Sequence, residues 1–165
     1  MPKERLVNVG GHTPGSKFEL VSWSQGEVRH NVWDSAGREN REASVEEKRV
    51  LLVLGQALDL EHALRGVAIA TQRADFAVAM AGRAKAAAKR IKQISDAVST
   101  PAIDAILTIV GSIKLKLDNG EELTAAADNV AEQARAFVAN NDGSGLDALD
   151  PLIPGSDRYK GTPSQ

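Results

Sequence analysis

Residues 44–98 carry the most regular hydrophobic pattern of the chain. Apolar positions recur at alternating spacings of four and three residues, which is typical of a helix that contributes a seam to a bundle or coiled coil. The first seam consists of Val53, Ala57, Leu60, Leu64 and Val67. A second seam is offset from the first, as a stutter in the repeat would produce. It consists of Ala84, Ala87, Ile91, Ile94 and Val98.

The start of this segment is also marked in the sequence. Ser44 is followed three residues later by Glu47, which is the spacing of a capping box, so a helix is expected to begin there. No proline and no run of turn residues interrupts the pattern, which favours one long helix as far as residue 98. A break near Asp59 or Gly66 would instead give a helical hairpin, and the sequence leaves both arrangements open.

A further helical region follows Thr100, which precedes Pro101 in the usual order of an N-cap and a first helical residue. The second half of the stretch AIDAILTIVGSIKLKL alternates like a strand, so residues 111–123 are compatible with either type of element. The stretch EELTAAADNVAEQARAFVAN is predicted to be a helix with acidic residues in its first turn and one apolar stripe. That stripe consists of Leu123, Ala127, Val130, Ala134 and Phe137.

Residues 1–43 instead show strand and turn patterns. The segments KFELVSWS and EVRHNVW flank Gln25 and Gly26, which is the spacing of a two-residue hairpin loop. Pairing across this loop would place Trp23 opposite Val28, and aromatic and β-branched pairs of this kind suit antiparallel strands. A two-stranded ribbon is marginal alone, so the prediction is a β-hairpin docked on the helices.

Together these patterns predict a mainly α protein, with a long alanine-rich helix in a helical bundle or coiled coil and an N-terminal antiparallel β-hairpin. Three regions are expected: a β-ribbon over 1–43, a helical region over 44–140, and an extended tail over 141–165. Only 4% of the 165 residues are aromatic, so the core must be built from aliphatic side chains. The hydrophobic share of 42% suits one globular domain.

The net charge and the cysteine content limit the partners and the kinds of site that the chain can have. The formal net charge is −2, so the chain as a whole is not attracted to nucleic acid or anionic membranes. The absence of cysteine excludes disulfides, thiolate metal sites and a cysteine nucleophile. The N-terminal stretch lacks the apolar core of a signal peptide, and the longest strictly apolar run is only Val50 to Leu54. We therefore expect a cytoplasmic protein, or one inside an intracellular assembly, with no membrane span.

The stretch VWDSAGREN at residues 32–40 resembles the segment with which small GTPases hold Mg²⁺ and sense the γ-phosphate. Asp34 and Gly37 would occupy the two ligand-contacting positions. The resemblance requires a phosphate loop upstream, and in the candidate loop Lys17 is one residue out of place. A strand pattern also follows this loop where the N-terminus of a helix should hold phosphate. We therefore interpret the stretch as a turn and expect no nucleotide cofactor.

No residue pattern identifies a metal or catalytic site. A spacing like that of a Ca²⁺ loop begins at Asn140, but Pro151 stands where the bidentate glutamate should be. His12, His30 and His62 show no metal-ligand spacing. No nucleophile elbow or distinctive pair of carboxylates is present. The sequence therefore predicts no metal or cofactor and favours a non-enzymatic role, with an enzyme of unrecognised type as an alternative.

One local cluster of basic residues lies in the stretch GRAKAAAKRIKQ. On a helix, Lys85, Lys89 and Lys92 share one face, which we call the lysine stripe, and nucleic-acid phosphates could follow it. Aromatic side chains for stacking on bases are missing. A solvated helix face is therefore the simpler interpretation, and nucleic-acid binding is the alternative.

The offset seams lead to the main functional expectation. Seams on more than one face present more apolar surface than two short partner helices cover, which suggests self-association or docking on partner helices. The sequence thus predicts a structural or interaction protein, a subunit of a virion-type or secretion-type assembly that forms homo-oligomers. The expected interaction residues are Val53, Ala57, Leu60, Leu64, Val67, Ala84, Ile91, Ile94 and Val98.

Overall fold

The computed structural model describes residues 3–30 and 38–163 of the chain. These residues are mainly helical, as predicted, and contain no β-strand. None of their helices is long and apolar enough to cross a bilayer. The α-helices are α1 (Glu4–Asn8), α2 (Leu20–Ser24), α3 (Val45–Ala68), α4 (Asp75–Ala97), α5 (Pro101–Ser112) and α6 (Gly120–Asn140). Two 3-10 turns follow, at Asp147–Leu152 and Ser156–Arg158.

Helices α3 to α6 form an up-down-up-down four-helix bundle. Each packs on its neighbours in the chain, and α6 returns to pack on α3, so the ring is closed. The ion pair of Asp59 with Arg83 and the approach of Gly66 to Met80 show that α3 and α4 are antiparallel. Because α4 and α6 both flank α3 and α5, they occupy opposite corners of the bundle.

The bundle core contains the residues of both predicted seams. Of the nine expected interaction residues, eight are buried and Val98 is half-buried, and all pack within this one chain. The α6 stripe is buried too, and Phe76 and Phe137 are the largest fully buried side chains among the residues that the structure describes. The apolar surface that suggested self-association is therefore covered intramolecularly at these positions.

Residues 44–98 form the helical hairpin that the sequence left open as the alternative, and the favoured single long helix is wrong. The helix begins at the predicted capping box, where the Ser44 hydroxyl and the Glu47 carboxylate accept each other's backbone N–H groups. It continues through both suggested break points and ends at Ala68, and α4 begins at Asp75.

The break between α3 and α4 is stabilised by α1. The carboxylate of Glu4 accepts hydrogen bonds from the backbone N–H and the hydroxyl of Thr71, at 3.0 and 2.9 Å. The N-cap of α4 is Ala74, which has no side-chain acceptor, and Asn8 Oδ1 instead accepts the Phe76 N–H at 3.0 Å. A helix start needs such an acceptor, and here a distant segment supplies it.

The predicted N-terminal β-hairpin is also wrong for the residues that the structure describes. The side chain of Glu19 accepts the N–H groups of Val21 and Ser22, at 3.2 and 2.6 Å, and starts α2. Val21 is fully buried, and Leu20 lies against α3 at Gly55, where a Cβ would be 2.6 Å from the leucine Cβ. The Glu19 cap and the close contact of Leu20 with α3 thus take the place of the hydrogen bonds between β-strands that the alternating pattern predicted.

Residues 111–123, for which the sequence allowed either helix or strand, are divided between helix and irregular backbone. Thr100 caps α5 as predicted, since its hydroxyl accepts the Ile103 N–H at 3.3 Å. The helix ends at Ser112, residues 113–116 continue without a strand partner, and α6 begins at Gly120.

Residues 141–163, which we call the C-terminal strap, are not the extended tail that was expected. Leu146 and Leu149 are buried against the bundle. Arg49 of α3 donates two hydrogen bonds to the Asp150 carboxylate, at 2.7 and 2.9 Å, and one to the Gly143 carbonyl at 3.2 Å. These hydrogen bonds hold the pKa of Asp150 below its ordinary value.

The end of the strap meets the N-terminal region. The Lys160 N–H donates to the Ser22 carbonyl at 2.9 Å, and the Lys160 carbonyl accepts the Glu27 N–H at 2.7 Å. The Tyr159 hydroxyl donates to Glu42 at 2.5 Å, and the Lys48 ammonium pairs with the same carboxylate. Hydrogen bonds from Lys48 and Tyr159 lower the pKa of Glu42.

Candidate binding groove

The third helix of the bundle is short, and this creates a groove. α5 has 12 residues, whereas α4 has 23 and α6 has 21. At 1.5 Å per residue, α5 is about 16 Å shorter than α4. The non-helical residues 113–117 continue beyond α5 beside the N-terminal half of α4, and a groove of about 580 Å³ remains between them.

The groove has apolar walls and a basic rim. The floor includes Val67 and Ala77, which are core residues only 3% and 6% exposed, so the groove reaches the bundle interior. Val78, Ala81, Gly82, Leu115 and Leu117 form the walls. All charged residues that line the groove are basic: Arg73, Lys85 and Lys116.

A second groove of about 400 Å³ adjoins the first and shares Lys85 and Leu115 with it. It lies between α4 and the end of α5, and its deepest lining residues are Leu60 and Leu64. Its other charged residue is Lys114. The two grooves together thus have four cationic and no acidic lining residues.

The lysine stripe lies on the exposed outward face of α4, in line with Val78 and Gly82. Lys92 pairs with Asp96 on the same helix. Within the described ranges, no carboxylate pairs with Lys85 or Lys89. The fold therefore places Lys85 near Lys114 and Lys116, a grouping that the sequence pattern did not reveal.

The outward face of α6 carries the opposite charge. Glu121, Asp128 and Glu132 are exposed along it, and Asp128 also pairs with Arg65 of α3 at 2.7 Å. α6 contains four acidic residues and one basic residue, a net charge of −3, whereas α4 contains five basic and two acidic residues, a net charge of +3. Because the two helices occupy opposite corners, these faces point in opposite directions.

The other candidates from the sequence do not form a common site. His12, His30 and His62 are all exposed. No group of three metal-ligating side chains occurs within residues 3–30 and 38–163. The Asp142 carboxylate accepts the N–H and hydroxyl of Ser144, at 2.9 and 2.6 Å, and these bonds lower its pKa. The GTPase-like positions 34 and 37 lie outside the described residues, so the interpretation as a turn stays a prediction.

Comparison of the chain with protein-family models, with curated proteins and with solved structures gives no match.

Proposed function

We propose that this protein is a non-enzymatic structural or interaction protein, a subunit of a multi-protein assembly of the virion or secretion type. The observation that supports the proposal is the opposite charge of α4 and α6 on opposite corners of one bundle. Complementary faces on opposite sides allow copies to associate head to tail, and repetition of such a contact generates rings or filaments. Unlike the buried seams, both faces are exposed.

The proposed contact between copies would use the part of α4 that lies C-terminal to the residues lining the 580 Å³ groove. Lys89 and Lys92 lie one turn apart on the outward face of α4, and Asp128 and Glu132 lie one turn apart on that of α6. Each exposed ion pair contributes only about 0.2–1 kcal/mol and is screened by salt. Association is therefore expected to be weak, to need several pairs at once, and to decrease as salt is added.

Charge reversal tests this proposal. Sedimentation velocity of the parent protein at low salt should show a mass that rises with concentration. Lys89→Glu with Lys92→Glu makes both faces acidic, and Asp128→Lys with Glu132→Lys makes both basic, so each double variant alone should remain monomeric. A mixture of the two double variants should associate again, because every contact between them joins opposite charges. A parent protein that stays monomeric across the series would contradict the proposal.

Nucleic-acid binding is a second candidate, which the lysine stripe and the nearby Lys114 and Lys116 support. If it is correct, replacing all three stripe lysines with glutamine should reduce the slope of log K against log salt by ~2–3 on duplex DNA, since each phosphate contact contributes about 0.9. Arg135→Gln on α6 is the control and should not change the slope. We expect only weak, salt-sensitive binding by the parent. Nanomolar affinity at physiological salt that is lost in the triple variant would favour this function over assembly.

A further inference from the structure

We propose that the groove between α4 and residues 113–117 is a binding site for a single-chain amphiphile with an anionic head group, of the long-chain carboxylate class. The site is separate from the proposed assembly contact, which uses Lys89 and Lys92. Three properties of the groove support this ligand class: its depth, its shape and the sign of its charge.

The depth of the groove suits an alkyl chain. Its floor at Val67 belongs to the bundle core, so a chain that lies in the groove would have one side against apolar side chains. The volume of about 580 Å³ lies within the range of small-molecule sites, about 300–1,000 Å³. Burial of apolar surface would therefore supply most of the affinity.

The shape of the site favours a flexible chain over a rigid helix. The adjoining groove shares Leu115 with the first and continues past Ala84 and Ala88 to Leu60 and Leu64. A flexible alkyl chain can bend from one groove into the other. An α-helix, which is about 10–12 Å wide with its side chains, would instead rest on the rim.

The charge at the rim selects the head group. Arg73, Lys85 and Lys116 line the groove, and no acid does, although the protein carries a net charge of −2. Lys116 has only a distant partner, Asp118, at 3.8 Å. A carboxylate at the rim would be attracted by these cations, whereas a quaternary ammonium group would be repelled.

Calorimetric titration with soluble probes below their micelle concentrations tests the inference. Dodecanoate should bind, and dodecyltrimethylammonium should bind at least tenfold more weakly. Shortening the carboxylate from twelve to ten carbons should weaken binding by about fifteenfold, since each of the two buried methylenes changes affinity by roughly fourfold. Lys85→Gln combined with Lys116→Gln should weaken dodecanoate binding several-fold and leave binding of the ammonium probe unchanged or stronger.

Gly82 offers a way to block the groove without crowding the helix. A Cβ at Gly82 meets no atom within 4 Å, and glycine is a poor helix former, so Gly82→Phe should fold while its ring fills the groove. Gly111→Phe is the matched control, because Gly111 is also a helical glycine with open space at its Cβ and lines neither groove. Gly82→Phe should reduce dodecanoate affinity at least tenfold, and Gly111→Phe should not.

Three results would overturn the inference. The first is no binding of dodecanoate to the parent protein, and the second is equal affinity for the anionic and cationic probes. The third is binding that Gly82→Phe leaves unchanged, which would place the amphiphile elsewhere. If Gly82→Phe abolishes self-association while dodecanoate does not bind, the groove is a contact between copies of this chain. The assembly proposal is tested at other residues, so either idea can fail without the other.

Discussion

Replacing Phe76 with alanine is expected to lower the free energy of unfolding by about 3–5 kcal/mol. Phe76 is fully buried in the first turn of α4, and the core around it consists mainly of aliphatic side chains and alanines. Removal of the ring leaves a cavity that alanine-rich helices, already closely packed, fill poorly. The loss is a large share of the roughly 5–15 kcal/mol that stabilises a typical domain. Urea denaturation followed by circular dichroism measures it.

The control for this substitution is Val78→Ala, two residues further along the same helix. Val78 is 59% exposed, so its truncation removes little buried surface. The change in the free energy of unfolding should stay within about 0.5 kcal/mol. Similar losses for the two variants would mean that Phe76 does not occupy the core position described above.

Replacing Gly143 with asparagine is expected to detach the C-terminal strap and to cost about 2–3 kcal/mol of stability. Gly143 has a φ of +91°, and a Cβ there would lie 2.1 Å from the carbonyl oxygen of Glu46. Asparagine tolerates the left-handed region better than most residues, so the steric clash is the main effect. Displacement of residue 143 would also move its own carbonyl oxygen away from Arg49, which donates a hydrogen bond to it. Hydrogen exchange should show loss of protection in residues 146–160.

Gly145 provides the matched comparison, since its φ is also positive, at +74°, and a Cβ there meets nothing within 4 Å. Gly145→Asn should therefore keep the strap attached and change stability by only a few tenths of a kcal/mol. Equal losses of stability in the two asparagine variants would mean that the positive φ causes the loss and that the clash with Glu46 does not.

The helices that could be predicted are those whose start signals are local. The capping box at Ser44 and the N-cap at Thr100 lie next to the residues they cap, and the α6 stripe shows a regular helical period. The turn between α3 and α4 could not be predicted in this way. Its stabilising acceptors belong to Glu4 and Asn8, 67 and 68 residues away from their partners.

The N-terminal region shows how a local pattern can be overridden. Alternation of apolar and polar residues around Trp23 suits a strand, but the side chain of Glu19 satisfies two backbone N–H groups and the segment turns into a short helix against α3. Tertiary packing thus decided between two conformations that the sequence pattern alone did not separate.

The candidate groove could be predicted only in part. The lysine stripe follows from helical spacing, and its three residues are exposed on α4. The groove itself depends on where α5 ends and on how residues 113–117 lie against α4, which no local pattern specifies. Lys85 and Lys116 are far apart in sequence, so their common groove appears only in the folded chain.

Because the strap is synthesised late, it also determines when part of the N-terminal region can form its hydrogen bonds during translation. α3 and α4 are neighbours in the chain and can pair as soon as both have left the exit tunnel. Ser22 and Glu27 are synthesised first, yet their hydrogen-bond partner is Lys160. At ~5–20 residues per second, this early segment waits on the order of ten seconds for that partner. The hydrogen bonds of Ser22 and Glu27 to Lys160 therefore form late, although these two residues are made early and α1 and α2 can already pack on α4 and α3.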